Sequence, residues 1–500
     1  MKIKLVFLAV LAVSTPLFVK GQAVTSFAGI SASQVSNPGF EVDQNGAVGT
    51  KQYMEWVNSY YQAYNKTTNA PVWPSPKNGD TPWQNQNVAN CFGAGGGEGF
   101  ITFDRLASRW VIARRASPTT NAYYYCVAIS NTDDLASPTL NWFTYRFGIN
   151  SAIGVNSRGN AYYPDYPKFG TWSDGYYVSF DLEDPDNSYQ EIGVVACALD
   201  RANMILGQTA RPLQCFSDPK PLPTNGALYL AHSLIPADID GQTAPPTGQH
   251  EFFLSIQNPP ADKVSTTSTS LNLWNFSVNW TTPSASTFTK SKITVASYIP
   301  GCYNVQQPVD TFCVNQPSSV ATNNFLDSIG DRLMPRMAYR NFGTYQSFLV
   351  SQTVQLKAGS NQQTGIRWYE LRGSATPTLF QSGTVNNVNS VVYRFVPSIA
   401  QDKTGNAAAG YSISNNGVHP GIRAAYWSLP NKTAPVELNL QNGAGDQENS
   451  SQWGNLTSMT VDPVDNCTFW YVNRYYPVNQ TGNLHNWNTR IAHFKLSTCH

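Results

Sequence analysis

Pro397-Ser-Ile-Ala-Gln-Asp-Lys-Thr-Gly-Asn-Ala-Ala-Ala-Gly-Tyr-Ser412 is a short apolar run, a polar turn and a second apolar run. The chain writes versions of it at 335–350 (PRMAYRNFGTYQSFLV) and 457–472 (TSMTVDPVDNCTFWYV), both alignable without a gap. Period-two alternation argues for strands, and Gly, Asn, Asp and Pro between the runs argue for a tight reversal. The unit is therefore a β-hairpin, and its three copies start 62 and 60 residues apart. Each is followed by a similar third strand, Gly365–Leu371, Gly421–Trp427 and Thr489–Leu496. A fixed period of this size without helical patterning predicts a radial array of small sheets, a β-propeller.

Working outward, further copies start at Phe100, Phe169 and Tyr229, the last with an inserted loop at 236–248. Third strands are expected at Tyr123–Ser130 and Glu191–Leu199, and Leu271–Thr281 reads as the outer strands of the Tyr229 unit. The aromatic stretch from Tyr53 to Tyr64 fits a helical stripe in places, but its Tyr, Trp and Val clusters favour two strands. Counting all the hairpins gives one all-β propeller over 43–500 with seven blades, six being the alternative count. Residues 24–42 read as an N-terminal arm, and the Ser/Thr/Pro-rich stretch 282–328 as a long loop. Most Trp and Tyr side chains are expected in the packing between sheets.

Residues 1–23 read as a secretory signal: Lys2 and Lys4, the apolar run Leu5–Val13, then Gly21 or Ala23 for cleavage. No later segment is long and apolar enough to span a membrane as a helix. Eight cysteines in an exported chain favour disulfides. Proximity suggests Cys197–Cys215 and Cys302–Cys313. Cys91–Cys126 would tie the entry of one sheet to its own later strand, and Cys467–Cys499 would clip the last blade. Eight N-x-S/T sequons permit glycosylation without requiring it. A net charge of +1 with only 13% charged residues leaves no long-range field for nucleic acid or an anionic membrane.

Ligands of a propeller are expected over the central channel, on loops leading into each innermost strand. The residues there with useful chemistry are Glu98, Asp165, Lys168, Asp331, Arg332, Arg336, Arg394 and Asn455. Glu98 with Asp165 or Asp331 could supply the two carboxyls of a glycosidase, which stand about 5–9.5 Å apart in such enzymes. The competing reading has acids before strands capping turns and forming ion pairs. Arg332, Arg336 and Arg340 share parity, so an unbroken strand would place them on one face, although Pro335 interrupts it and Arg340 aligns with the hairpin turn. Arginine clusters grip carboxylates or sulfates. Asp238 and Asp240 could offer oxygens to calcium, but Asp-Gly is equally a turn signal. No cofactor is otherwise expected. The glycine run 93–99 lacks the Lys-Ser/Thr of a phosphate loop, and there is no G-x-S-x-G or H-E-x-x-H.

Five segments carry a resemblance in their wording: Asn45–Met54, Tyr166–Tyr177, Gly330–Gly343, Gly365–Arg372 and Val461–Tyr471. They resemble a family of large secreted bacterial proteins, common in soil bacteria such as acidobacteria, that brings no assured activity with it. The resemblance implies a sialidase-like or galactose-oxidase-like propeller. Where many relatives have Gly-Asp-Pro, His-Glu and Trp-Gly-Asp, this chain has Gly97-Glu98-Gly99, Tyr345-Gln346 and Trp453-Gly454-Asn455. The expected function is binding of extracellular carbohydrate at the channel by a monomer, with catalysis left open. The alternatives are a glycoside hydrolase or lyase acting on an acidic polysaccharide and a non-catalytic protein-interaction scaffold.

Overall fold

The computed structural model describes residues 23–500 except 37, 40–41, 85–87, 89, 94–97, 120, 220–232, 258–267, 303–311, 320–323, 358–362, 387–390 and 479–484. Residues 1–22 of the expected leader, most of the glycine run, the expected copy start at Tyr229 and the sequon at Asn479 lie outside the described residues. The three aligned hairpins are strand pairs: Leu333–Asn341 with Gln346–Lys357, Tyr393–Gln401 with Asn406–Asn415, and Ser458–Val461 with Thr468–Tyr475. The turns between them are closed by a repeated Asx device. Asp402 accepts backbone N–H bonds from Thr404 and Asn406 (2.8 and 2.9 Å), and Asp462 accepts one from Val464 at 2.9 Å. Asn341 does the same for Gly343, and Asp104 for Leu106 and Ala107 in an earlier hairpin. A side-chain oxygen that binds the backbone two residues on stabilises the reversal, so one acid or amide recurs there.

The described strands fall into consecutive antiparallel four-strand groups. Group 1 is Asn45–Val48, Gln52–Val57, Tyr60–Asn65 and Lys77–Asn78, so the aromatic stretch from Tyr53 to Tyr64 is two strands and not a helix. Group 2 is Phe100–Asp104, Arg109–Thr119, Ala122–Ser130 and Trp142–Gly148. Group 3 is Tyr163–Thr171, Tyr176–Asp184, Gln190–Leu199 and Gln214–Pro219. Group 4 is Ile235–Ile239, Glu251–Ile256, Ser268–Ser277 and Thr287–Tyr298. Groups 5 and 6 add Gln363–Arg372 with Thr378–Val385, and Val418–Ser428 with Val436–Gln441, to their hairpins. The last group, 7, adds Asn488–Lys495 and then Val24–Ser31. A parallel pairing of Ile235–Ile239 with Leu333–Asn341 fuses groups 4 and 5 into one eight-stranded sheet.

The first strand of each group touches the first strand of the next, and that of the last group returns to Asn45–Val48. This closed ring of first strands, with meandering sheets radiating from it, is a β-propeller. Closure is made by the arm: Val24–Ser31 pairs antiparallel with Asn488–Lys495, from Val24 opposite Phe494 to Ser31 opposite Asn488. The stretch 282–328 is likewise not all loop. Thr287–Tyr298 is the outer strand of group 4, and Phe312–Val314 pairs with Leu326–Asp327 in a separate two-stranded ribbon.

The core lies between neighbouring sheets. One cluster joins groups 2 and 3 through Phe100, Tyr125, Phe169 and Phe180, and another joins groups 6 and 7 through Ala408, Ala424, Phe469 and Tyr471. Trp56, Trp110, Trp172, Trp274 and Trp470 are among the largest fully buried side chains. Burying each such ring contributes roughly 2–3 kcal/mol, so the ring gains from every inter-sheet contact together. The four disulfides are Cys91–Cys126, Cys197–Cys215, Cys302–Cys313 and Cys467–Cys499. No described helix is long and apolar enough to cross a membrane.

Candidate functional site

At the end of the ring where the first strands enter, the backbone repeats one conformation. Each group has a left-handed residue at or just before its first strand: Asp43, Glu98, Tyr166, Ser233, Ile329, Val396 and Gly454, with φ between 46° and 68°. Only the last is glycine. For an L-residue this conformation costs roughly 1–2 kcal/mol, and β-branched Ile and Val adopt it least readily. Four of the seven (Asp43, Glu98, Tyr166 and Ile329) line a single cavity of about 460 Å³ at the mouth of the channel. Strained backbone gathered around a cavity is the pattern of a functional site.

Glu98 is held there by two neighbours. The Asn45 side chain donates to the Gly99 carbonyl (2.6 Å) and accepts from the Ile101 N–H (2.9 Å), pinning the loop across groups 1 and 2. Gly99 packs so closely on Trp56 that a Cβ there would lie 1.9 Å from the indole. The Glu98 carboxylate accepts a bond from Arg115 at 3.2 Å, and the Arg115 guanidinium lies 4.2 Å from the centre of the Tyr163 ring. Burial first, and then the negative charge of Asp165, push the Glu98 carboxyl well above the usual carboxylate range, against the opposing pull of Arg115.

Asp165 faces Asp181 across the first two strands of group 3, and Tyr163 faces Glu183. Burial, followed by Asp165 and Asp181, raises Glu183 to about 8. On the opposite wall Arg332 clasps Asp331 through two bonds of 3.0 and 2.9 Å and lies 3.7 Å from Asp181. Its guanidinium stacks 4.7 Å from the centre of the Tyr166 ring. The Tyr166 hydroxyl donates to the Asn455 carbonyl at 2.9 Å, reaching from group 3 to group 7. Lys168 is 1% exposed, and its ammonium turns back to donate to the Tyr166 carbonyl at 3.0 Å. Burial drives that amine well below its ordinary value. Tyr189 and Phe312, 55% and 47% exposed, stand at the rim.

Below the cavity the channel is filled. Arg336 donates to Asp238 (2.7 Å), to Asp240 (2.9 Å) and to the Met459 carbonyl of group 7 (2.9 Å). Arg340 lies in the strand and not in the turn, because the first hairpin of group 5 reverses at 342–345. It bridges the Gln401 and Asp240 carbonyls at 2.9 and 2.8 Å. Arg105 also reaches Asp240, at 3.4 Å. Asp238 and Asp240 are thus counter-ions to arginines. No group of three or more metal-ligating side chains occurs among the described residues.

Of the residues singled out in the sequence, Glu98, Asp165, Arg332 and Asn455 line the cavity, and Lys168 and Asp331 border it. Arg336 lies deeper, and its buried ion pairs leave it no part in a shared anion site with Arg332. Arg394 is elsewhere: it pairs with Glu437 of the outermost strand of group 6 at 2.7 Å, beside the Tyr411 hydroxyl. Asp43, Arg115, Tyr163, Tyr166, Tyr189, Phe312 and Glu183 were not singled out. The one signal for Arg115 is the pair Arg114-Arg115 set directly after the apolar run Trp110–Ala113 in the strand Arg109–Thr119.

No family model and no curated protein matches the chain. Among solved structures it is similar to a hypothetical selenium-binding protein from Sulfolobus tokodaii, at 8% identity over 82% of this chain and 84% of that one, with a TM-score of 0.40. It is also similar to an alpha-L-arabinanase from Penicillium chrysogenum complexed with arabinobiose, at 8% identity over 95% of this chain and 100% of that one, TM-score 0.39. A third is Trypanosoma rangeli sialidase, at 10% identity over 79% of this chain and 54% of that one, TM-score 0.37. The fold assignment rests on the strand pairing and the closed ring described above.

Proposed function

We propose that this chain is a secreted, monomeric, seven-bladed propeller that binds extracellular carbohydrate in the cavity at the channel mouth. The observation that carries the reading is the lining: carboxyl groups of Asp43, Glu98, Asp165 and Asp327 set among the rings of Tyr163, Tyr189 and Phe312. Carboxylates accept paired hydroxyl hydrogen bonds, and aromatic rings cover the C–H faces of a sugar. A volume of about 460 Å³ lies in the range of small-ligand sites. Export agrees with the four disulfides, which persist in oxidising compartments.

A glycan-array screen of the purified protein tests the reading, with oligosaccharides binding the parent and losing affinity when Tyr189→Ala removes a rim ring. Silence of the parent across the array would sink it. Hydrolysis is a second reading, favoured by one pairing. Glu98 is held as an acid by burial beside Asp165 in the same cavity, the environment that makes a proton donor of one carboxyl of two. Product analysis on any bound polysaccharide decides between binding alone and cleavage.

A further inference from the structure

The charges around this cavity are not evenly matched, and the mismatch bears on the class of sugar. Four acidic side chains line it against two guanidiniums, Arg115 and Arg332. Both guanidiniums are already engaged, Arg115 with Glu98 and Arg332 with Asp331. The nearest ammonium, Lys168, is turned back on the Tyr166 carbonyl and ring. A ligand carboxylate or sulfate would therefore meet only guanidiniums that already bond acids, and would face Asp165. The Asp165 carboxyl makes no hydrogen bond or ion pair among the described residues. Independently, Arg115 is 6% exposed and its Nε–H is buried without an acceptor. An orphaned buried donor in a cavity wall points to a ligand oxygen that it receives. The faces of Tyr189 and Phe312 carry negative π density that favours a cation over an anion.

We propose that the sugar taken by this cavity carries a protonated amine, as in a glucosamine oligomer. Its ammonium sits against Asp165 and a hydroxyl or ring oxygen accepts from Arg115 Nε. This deepens the carbohydrate reading and rests on it.

The test compares binding of three oligomers of equal length by calorimetry at pH 6: glucosamine, N-acetylglucosamine and galacturonate. The free-amine oligomer is expected to bind about tenfold tighter than its acetylated twin, the discrimination of one charge pair. Added salt should shrink that preference, and Asp165→Asn should erase it while keeping the parent's melting temperature. Tyr189→Ala, at an exposed rim position, should weaken both glucosamine-based oligomers without changing their ratio. Equal or tighter binding of the acetylated oligomer overturns the amine assignment and leaves the carbohydrate reading standing. Tighter binding of galacturonate overturns it in the same way. Failure of all three, with silence on the glycan array, removes both.

Discussion

Glu98 accepts a hydrogen bond from Arg115 at 3.2 Å, yet its carboxyl is held well above the usual carboxylate range. Burial and Asp165 together outweigh the cation. Removing the neighbouring charge should therefore bring the carboxyl down. Asp165→Asn is expected to lower the Glu98 titration midpoint, read by carboxyl-carbon NMR with Glu98→Gln as the assignment control. A midpoint unmoved by the substitution would show that burial alone sets it. Where cleavage is observed, Glu98→Gln should slow it by about 10²–10⁴, the usual contribution of a positioned proton donor, while binding survives.

Gly99 and Trp56 are in contact that no side chain can share, since a Cβ at 99 would fall within 1.9–2.5 Å of three indole atoms. Gly99→Ala must displace either the fully buried Trp56 or the loop that carries Glu98. The expected cost is about 1–3 kcal/mol, the usual penalty of overpacking, read as a lowered melting temperature. Affinity at the cavity should fall with it. Unchanged melting would mean that the loop moves freely and that Glu98 is not rigidly placed.

The arginine filling the channel makes a separate prediction. Arg336 is 5% exposed and serves two buried carboxylates, Asp238 and Asp240. Arg336→Met keeps the volume and leaves both acids without their best counter-ion. Breaking a buried pair from one side costs about 3–5 kcal/mol. Arg336→Met with Asp238→Asn should recover part of it. Equal stability of the single and double variants would assign the loss to packing and not to charge.

How much of this was legible in the sequence follows from what each strand buries. The hairpins and third strands alternate clearly because they are clamped between neighbouring sheets. Thr287–Tyr298 is mostly exposed, so its sequence reads as a loop although it is a strand. Val24–Ser31 is hidden for another reason: its partner strand is at the far end of the chain, and no local pattern reveals that pairing. At the site, Glu98, Asp165, Arg332 and Asn455 were legible from their place near the start of first strands. Arg394 shares that place but turns outward to Glu437, near the register shift between Phe395 and Ser398. The left-handed residues left no trace, because Asp, Glu, Tyr, Ser, Ile and Val do not advertise positive φ as glycine does. Tyr189 and Arg115 reach the cavity from positions beyond the first strand, where position in the repeat is no guide.

Ring closure carries the last prediction, through Glu55. This fully buried side chain on group 1 accepts bonds from the Ile30 N–H (2.9 Å) of the closing strand and from the Tyr64 hydroxyl (3.2 Å). Gly29 passes so close that a Cβ there would meet both carboxyl oxygens at 2.6 and 2.8 Å. Burial raises the Glu55 carboxyl from 4.5 to about 7, only partly offset by its hydrogen bonds. The folded state thus holds a proton that the unfolded chain releases near pH 4.5. Stability from this group is complete below that pH and is lost as pH rises through about 7, a fall on the order of 3 kcal/mol. Glu55→Gln keeps the side chain's shape and cannot ionise, so it should flatten the decline in stability between these limits. Chemical denaturation across that pH range measures it, and the protection factors of the Val24–Ser31 amides, taken after dividing out the intrinsic base-catalysed exchange rate, should fall with pH in the parent only. A parent whose stability holds level to pH 8 would mean that Glu55 ionises without penalty and that the closing strand is held by its backbone pairing alone.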